Sequence, residues 1–334
     1  MPDRIAERVT VIIPTVHHRA HLFARALRHL SQSGFTCPIL VTDHSPAPER
    51  AAVAEAVRSV PGLDVTVVHH APELHFLERL TDCAARARTP YVHLHADDDF
   101  LVRAALERLV ATLDDAPDAA AAMGLNLHVT FVSRDVSLAP KLAIAARTPF
   151  ERLVAQLESY SSVLYALRRR DEFVASLSYA VARCPDVQFW QYLESCMAAL
   201  AGRIATIDEL HYVREVHTGK WSATLVRERS CDHFPYLLLS PEFGPRVAAF
   251  RAALLDACAE RNIARDQSAI DAGLIHLLYR GIGTMGLPPK TVGAADETQD
   301  TAARLEALLA DRSQPAAMEL TRIFALATGA DAPR

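Results

Sequence analysis

Residues 89–99 read TPYVHLHADDD, an apolar run carrying His93 and His95 that breaks into Asp97, Asp98 and Asp99. Three adjacent carboxylates repel one another, so a chain that places them straight after a buried-looking strand must neutralise them. Upstream, VTVIIPT (9–15), CPILVTD (37–43) and LDVTVVHH (63–70) are further β-branched runs. Between them lie HLFARALRHLSQSG (21–34), PERAAVAEAVRSV (48–60) and LHFLERLTDCAARA (74–87), and LVRAALERLVATLDD (101–115) follows; all four carry helical apolar spacing. Strands and helices taking turns predict βαβ units and a mostly parallel sheet flanked by helices, an α/β fold. In such a sheet ligands bind at the carboxyl ends of the strands. Pro14-Thr15, Asp43-His44-Ser45 and the three aspartates all fall at predicted strand ends, so one rim gathers the ligand-capable groups.

The rest of the chain is more mixed. AAAMGLNLHVTFVS (120–133) and SSVLYALRR (161–169) read as strands, and PFERLVAQLESY (149–160) as a helix. DVQFWQYLESCMAALAG (186–202) is a helix stopped by Gly202, and RIATIDELHYVRE (203–215) a strand with a turn. From about Pro235 the sequence turns helical, with PPKTVGAADETQD (288–300) as an exposed linker. The expected organisation is residues 1–232 as one α/β unit, with a nucleotide half to about 115 and an acceptor half over 116–232, followed by a helical C-terminal region over 233–334.

Composition narrows the function. The chain has 334 residues, 50% of them apolar and 22% charged, with a formal net charge of −5. No basic surplus marks a nucleic-acid binder. The six cysteines are far apart, without a CxxC, and no spacing suggests a zinc ribbon or a disulfide-stapled domain. The N-terminus lacks the form of a signal peptide, and no run reaches the length of a membrane span. A cytoplasmic protein with reduced thiols is expected.

Two metal chemistries compete for the aspartates. His93-x-His95-x-Asp97 opens like the HxHxDH zinc motif of metallo-β-lactamase-like hydrolases, but Asp98 stands where a histidine belongs, and a parallel βαβ start is the wrong scaffold. Carboxylates at a strand end suit Mg²⁺ or Mn²⁺, which prefer oxygen ligands and bridge to substrate phosphates. Asp97 or Asp99 would then hold the cation.

Here VTVIIPTVHHRAHLFARAL, ILVTDHSP and TPYVHLHADDDF resemble the nucleotide-binding half of a family 2 glycosyltransferase of the GT-A fold. PDVQFWQYLESCMAALAGRIATIDELHYVREVH resembles that family's acceptor-side segment, so the likeness covers residues 9 to about 222. It implies a soluble, inverting, divalent-metal-dependent glycosyltransferase acting on a UDP-, GDP- or dTDP-sugar and an unidentified acceptor hydroxyl. Carried over by position, Pro14, Thr15 and Asp43 hold the nucleotide together with Asp97 and Asp98. Asp97 and Asp99 form the metal-binding DxD pair, with His217 as an added metal or diphosphate contact. Asp186 falls where the family has its catalytic base. Arg19, Arg214 and Lys220 are candidate diphosphate or acceptor contacts. The chain departs from the family in having Pro185 before Asp186 in place of Glu, and His95 where many relatives carry Asp.

Other readings stand beside these. Asp99 would serve as N-cap of the following helix, Asp186 as N-cap of its own, and Asp43 as the start of an Asx turn into Ser45. His69, His70 and His93 are expected to be packed or turn residues, and Trp190 a core residue. A GT-A module that binds a nucleotide, sugar or protein without turnover is the alternative function. A nucleotidyltransferase is less favoured, because PTVHHRAH lacks the usual glycine-rich loop. The helical C-terminal region offers a surface for a homodimer.

Overall fold

The computed structural model describes residues 5–131, 135–139, 142–186, 189–216, 241–283 and 315–328. His217, Lys220 and the 288–300 linker lie outside the described residues.

The first half alternates as expected. Strands β1 (Val9–Thr15), β2 (Ile39–Asp43), β3 (Val65–His69) and β4 (Tyr91–Leu94) are connected by helices α1 (Ala20–Gln32), α2 (Arg50–Arg58) and α3 (Phe76–Ala85). β1 pairs in parallel with β2 and β4, and β2 with β3. α1 ends where Gly34 takes a φ of +72°, a left-handed conformation in which glycine carries no Cβ penalty.

The second half is of mixed direction. It comprises β5 (Phe100–Leu101), α4 (Arg103–Asp115), β6 (Ala119–Thr130), β7 (Asp135–Ala139), α5 (Pro149–Glu158), β8 (Leu167–Arg169), α6 (Arg170–Arg183), α7 (Trp190–Ala201) and β9 (Arg203–Glu215). The sheet runs β3-β2-β1-β4-β8-β6-β9-β5, with β7 beside β6. β8 is antiparallel to both β4 and β6.

Several predicted elements are shorter at their ends than the sequence suggested, and for two of them the structure shows why. Of 161–169 only Leu167–Arg169 is strand. The serines before it make local hydrogen bonds instead: Gln156 Nε2 donates to Ser161 O at 2.9 Å, and Leu164 N to Ser162 Oγ at 3.3 Å. The helix expected from 101 starts at Arg103, because Phe100 and Leu101 pair with Val213 and Tyr212 of β9. Asp99 is therefore not its N-cap; that position is Val102.

Apolar layers cover both faces of the sheet. Phe23, Leu27 and Leu30 of α1, Val53 of α2 and Leu106 and Leu109 of α4 pack on one face. The other face meets α3, α5, α6 and α7. Helices α8 (Phe243–Glu260) and α9 (Gln267–Gly283) join that second layer through Phe250, Leu254, Ile270 and Leu274. Helix α10 (Pro315–Thr328) sets Leu320 and Ile323 against Phe100, Val129 and Val213. The described C-terminal helices thus share the core of the sheet. Arg168 of β8, 1% exposed, pairs with Glu194 of α7 and Glu172 of α6 and so fixes the antiparallel strand to the helices beneath it. No helix among the described residues is long and apolar enough to cross a membrane.

Candidate active site

The parallel arrangement of β1, β2 and β4 brings their carboxyl ends together. Pro14 lies opposite Thr42 and Thr15 opposite Asp43 in the β1–β2 register. Beyond the last β1–β4 pair, Ile12 with Leu94, the His95 N–H donates to Ile12 O at 2.8 Å and starts the turn that carries the aspartates.

Thr15 Oγ1 donates to Asp97 Oδ2 at 2.8 Å, joining the ends of the two strands directly. Arg19 stands in the 3-10 turn His17–Arg19 that leaves β1. Its Nε donates to both Asp97 oxygens at 2.9 and 3.0 Å, and its Nη2 to Asp97 Oδ1 at 2.6 Å and to Asp98 Oδ2 at 2.7 Å. The main-chain oxygen of Asp98 accepts from Arg25 Nη2 at 2.9 Å, and the same guanidinium pairs with Glu215 at the end of β9. Burial raises the carboxyl of Asp97 above its ordinary range; Arg19 opposes this, Asp98 adds to it, and Thr15 also holds it down.

Asp99 is buried more deeply, 1% exposed, with Oδ1 accepting the Glu215 N–H at 2.8 Å. Its Oδ2 is buried with no hydrogen-bond partner. Burial, then the charge of Asp98, pushes this carboxyl up to about 7; Arg214, the Glu215 amide and the Tyr212 hydroxyl pull against them. Arg214 is exposed at its surface and lies over the Tyr165 ring at 5.9 Å, and Asp99 and Asp98 help to raise its pKa.

Asp43 is wholly buried and does make the expected Asx turn, accepting from the Ser45 N–H at 2.9 Å. It also accepts from the Ser45 hydroxyl and, through Oδ2, pairs with His69 Nδ1 at 2.9 Å. Ser45 Oγ in turn accepts the His17 N–H at 2.7 Å, which binds the β2 turn to the turn carrying Arg19.

Beside them is a residue that the sequence reading passed over. Arg79 of α3 is 6% exposed, its Nε donating to Leu74 O at 3.0 Å. Burial lowers its pKa and the charge of Asp43 opposes that. Its signal was the spacing Phe76, Arg79, Leu80, Cys83, which puts an arginine on the buried face of a helix.

His93, His95 and His211 form a buried group behind the aspartates. His93 and His211 meet at 3.0 Å between their Nε2 atoms, and neither ring nitrogen of His95 has a partner. All three are fully buried. Burial lowers His93 to about 3 and the other two well below the ordinary range, so the three rings are neutral. No group of three or more His, Cys, Asp or Glu side chains among the described residues is arranged to hold a metal ion. The expected Mn²⁺ or Mg²⁺ finds oxygen donors of the right kind in Asp97 and Asp99. As the side chains stand it does not fit between them, because Arg19 and Thr15 already engage both oxygens of Asp97.

Asp186 precedes α7. Its Oδ1 accepts the Phe189 N–H at 2.9 Å, its main-chain oxygen accepts the Trp190 N–H at 3.1 Å, and its Oδ2 pairs with Arg246 of α8. Trp190, 6% exposed as expected of a core residue, packs against Phe76 with ring centroids 5.6 Å apart. Phe76 opens α3 after the carboxyl end of β3, so the start of α7 reaches the same side of the sheet as the aspartates. Thr15, Arg19, Asp97 and Asp98 form one hydrogen-bonded cluster, with Asp43 in register beside it and Asp99 and Arg214 toward β9.

No family model matches the sequence, and no curated protein matches it. Solved structures do resemble the fold. Staphylococcus aureus TarS (residues 1–349) in complex with UDP-GlcNAc matches with a TM-score of 0.58 at 16% identity, over 97% of this chain and 87% of its own. The same protein with UDP matches at 0.53 and 15% identity, over 96% and 83%. Mannosyltransferase PcManGT from Pyrobaculum calidifontis, with GDP-Man and Mn²⁺, scores 0.46 at 17% identity, too distant to carry an argument. The mixed α/β architecture, a mainly parallel sheet flanked by helices, is that of the TarS structures.

Proposed function

We propose that the chain is a GT-A glycosyltransferase that moves a sugar from a nucleoside-diphosphate sugar to an acceptor hydroxyl with inversion. The observation that carries this reading is the gathering of Thr15, Asp43, Asp97, Asp98 and Asp99 at one carboxyl rim, where α/β sheets receive nucleotides. The fold likeness to TarS, crystallised with UDP-GlcNAc, supports it.

In this reading Pro14, Thr15, Asp43 and Asp97 face the nucleoside. Arg19, Arg79 and Arg214 offer positive charge to the diphosphate, which gains negative charge as it departs. Asp186 removes the acceptor proton as the acceptor oxygen attacks the anomeric carbon. The bond from that carbon to the phosphate oxygen breaks, and the nucleoside diphosphate leaves with the electron pair. Arg246 pairs with Asp186 and holds its carboxylate at the start of α7. His217 and Lys220, outside the described residues, enter only as residues of the sequence motif.

A second reading, binding without turnover, is favoured by one observation: both carboxylate oxygens of Asp186 are already engaged, by Phe189 and Arg246. A panel of UDP-, GDP- and dTDP-sugars separates the two. The enzyme reading expects nucleoside diphosphate release with at least one donor. Asp186→Asn should lose about 100-fold or more in rate while keeping the nucleotide-induced rise in melting temperature. The double variant Asp97→Ala/Asp99→Ala should lose that rise. Binding without release from any donor supports the second reading, and no rise with any nucleotide overturns both.

A further inference from the structure

We propose that Arg19 is the resident cation of the aspartate rim, occupying the place between Asp97 and Asp98 that a divalent ion would take. A nucleoside diphosphate is then received by a guanidinium of this chain and not by a bound metal. The inference deepens the proposed nucleotide site and rests on that reading for its nucleotide arm alone.

The geometry is specific to a fork-shaped cation. Nε reaches both oxygens of Asp97, and Nη2 spans from Asp97 Oδ1 to Asp98 Oδ2. One group thus ties oxygens of two adjacent carboxylates that would otherwise repel, which is what a bridging ion does. Arg19 is itself held in place: its N–H donates to Val16 O at 2.8 Å, and the neighbouring His17 N–H is fixed on Ser45 Oγ at 2.7 Å. The pair is largely desolvated, with side chains 21% exposed for Arg19, 5% for Asp97 and 13% for Asp98.

Desolvation decides between guanidinium and metal. To bind Asp97, an ion must take oxygens that Arg19 and Thr15 already engage. It would leave the guanidinium without its main partners in a place where little water can replace them, which is the costly half of breaking a buried pair. The neighbouring cations have other partners. Arg25 is engaged by Asp98 O and Glu215, and Arg214 lies over the Tyr165 ring. Asp97 and Asp98 are therefore already balanced by a side chain of this chain.

The test uses the full-length chain, with Mn²⁺ alone and UDP or GDP alone as probes. In a Mn²⁺ titration followed by electron paramagnetic resonance, the wild-type chain should bind the ion at least about tenfold more weakly than Arg19→Ala. The calorimetric affinity of wild type for UDP or GDP should be the same, within about twofold, in EDTA and in Mn²⁺. Arg19→Ala should bind nucleotide weakly in EDTA and recover with Mn²⁺, whereas Arg19→Lys, a cation without the fork, should fall between wild type and Arg19→Ala. Wild type binding Mn²⁺ as tightly as Arg19→Ala overturns the proposal, as does wild-type nucleotide affinity that collapses in EDTA. If Arg19→Ala does not fold, Arg19→Gln replaces it as the uncharged comparison in the Mn²⁺ titration, and the wild-type nucleotide affinities in EDTA and in Mn²⁺ decide by themselves. If neither nucleotide binds, the proposed function fails on that arm, and the Mn²⁺ titration still decides the role of Arg19.

Discussion

Asp99→Asn should change the pH dependence of stability in a direction fixed by the burial of this carboxyl. Asp99 titrates from an ordinary 3.8 up to about 7 in the folded chain. At about 1.4 kcal/mol for each tenfold change, the ionised form costs the fold up to about 4 kcal/mol. The sign follows from linkage. Between 3.8 and 7 the folded chain keeps the proton that the unfolded chain has lost, so this group's contribution worsens as pH rises through that window. It reaches its full cost above 7. At pH 5 only part of the cost is present; by pH 8 all of it is. Asparagine keeps the acceptor for the Glu215 N–H and carries no charge, so it removes the pH-dependent part. The stability of Asp99→Asn relative to wild type should therefore rise by roughly 2–3 kcal/mol from pH 5 to pH 8. Urea unfolding of both proteins, followed by circular dichroism at each pH, measures it. The buried histidines titrate in both chains and cancel in the difference. A gap that stays flat across this range would refute the reasoning, because a solvated Asp99 would already be ionised at pH 5 in both states.

His95→Met removes two buried, unpartnered nitrogens. Because burial lowers the pKa of His95, wild type loses stability as pH falls below about 6.5, where the unfolded ring takes up a proton first; the variant should unfold at lower pH, and an unchanged acid midpoint counts against this. β6 pairs in parallel with β9 with a register shift between Met123 and Leu125, and Gly124→Ala would there bring a Cβ to 2.5 Å from Glu209 O and 2.7 Å from His211 Cβ. Urea unfolding should show a loss of about 1–3 kcal/mol, and a neutral result would mean the strands separate freely there. Arg168→Met should cost about 3–5 kcal/mol by stranding Glu194, with much of it recovered on adding Glu194→Gln; equal losses in the single and double variants would contradict a buried pair.

The parallel half of the fold was legible because its signals are local. Runs of valine and isoleucine, helical spacing and Gly34 identify β1 to β4 and the helices between them, and the strand-end rule then collects Thr15, Asp43 and the aspartates. The second half depends on pairings far apart in sequence. β8 is three residues long and owes its place to β4 and β6 on either side and to the Arg168 pairs. β5 exists only because β9 runs beside it. The same limit applied in the site. Arg19 was readable as a phosphate contact, but its partners Asp97 and Asp98 lie nearly eighty residues away. Arg79 was masked by the helix that carries it. Asp186 keeps both of its readings, since it binds the Phe189 amide as a capping residue does and also pairs with Arg246.

The most direct test of the central claim is a calorimetric titration of the unmodified chain with UDP, GDP, dTDP and their common sugar conjugates. A nucleotide rim predicts saturable binding of at least one nucleoside diphosphate, lost in the Asp97→Ala/Asp99→Ala chain when that variant retains its fold. Saturable binding of none of them would contradict the account.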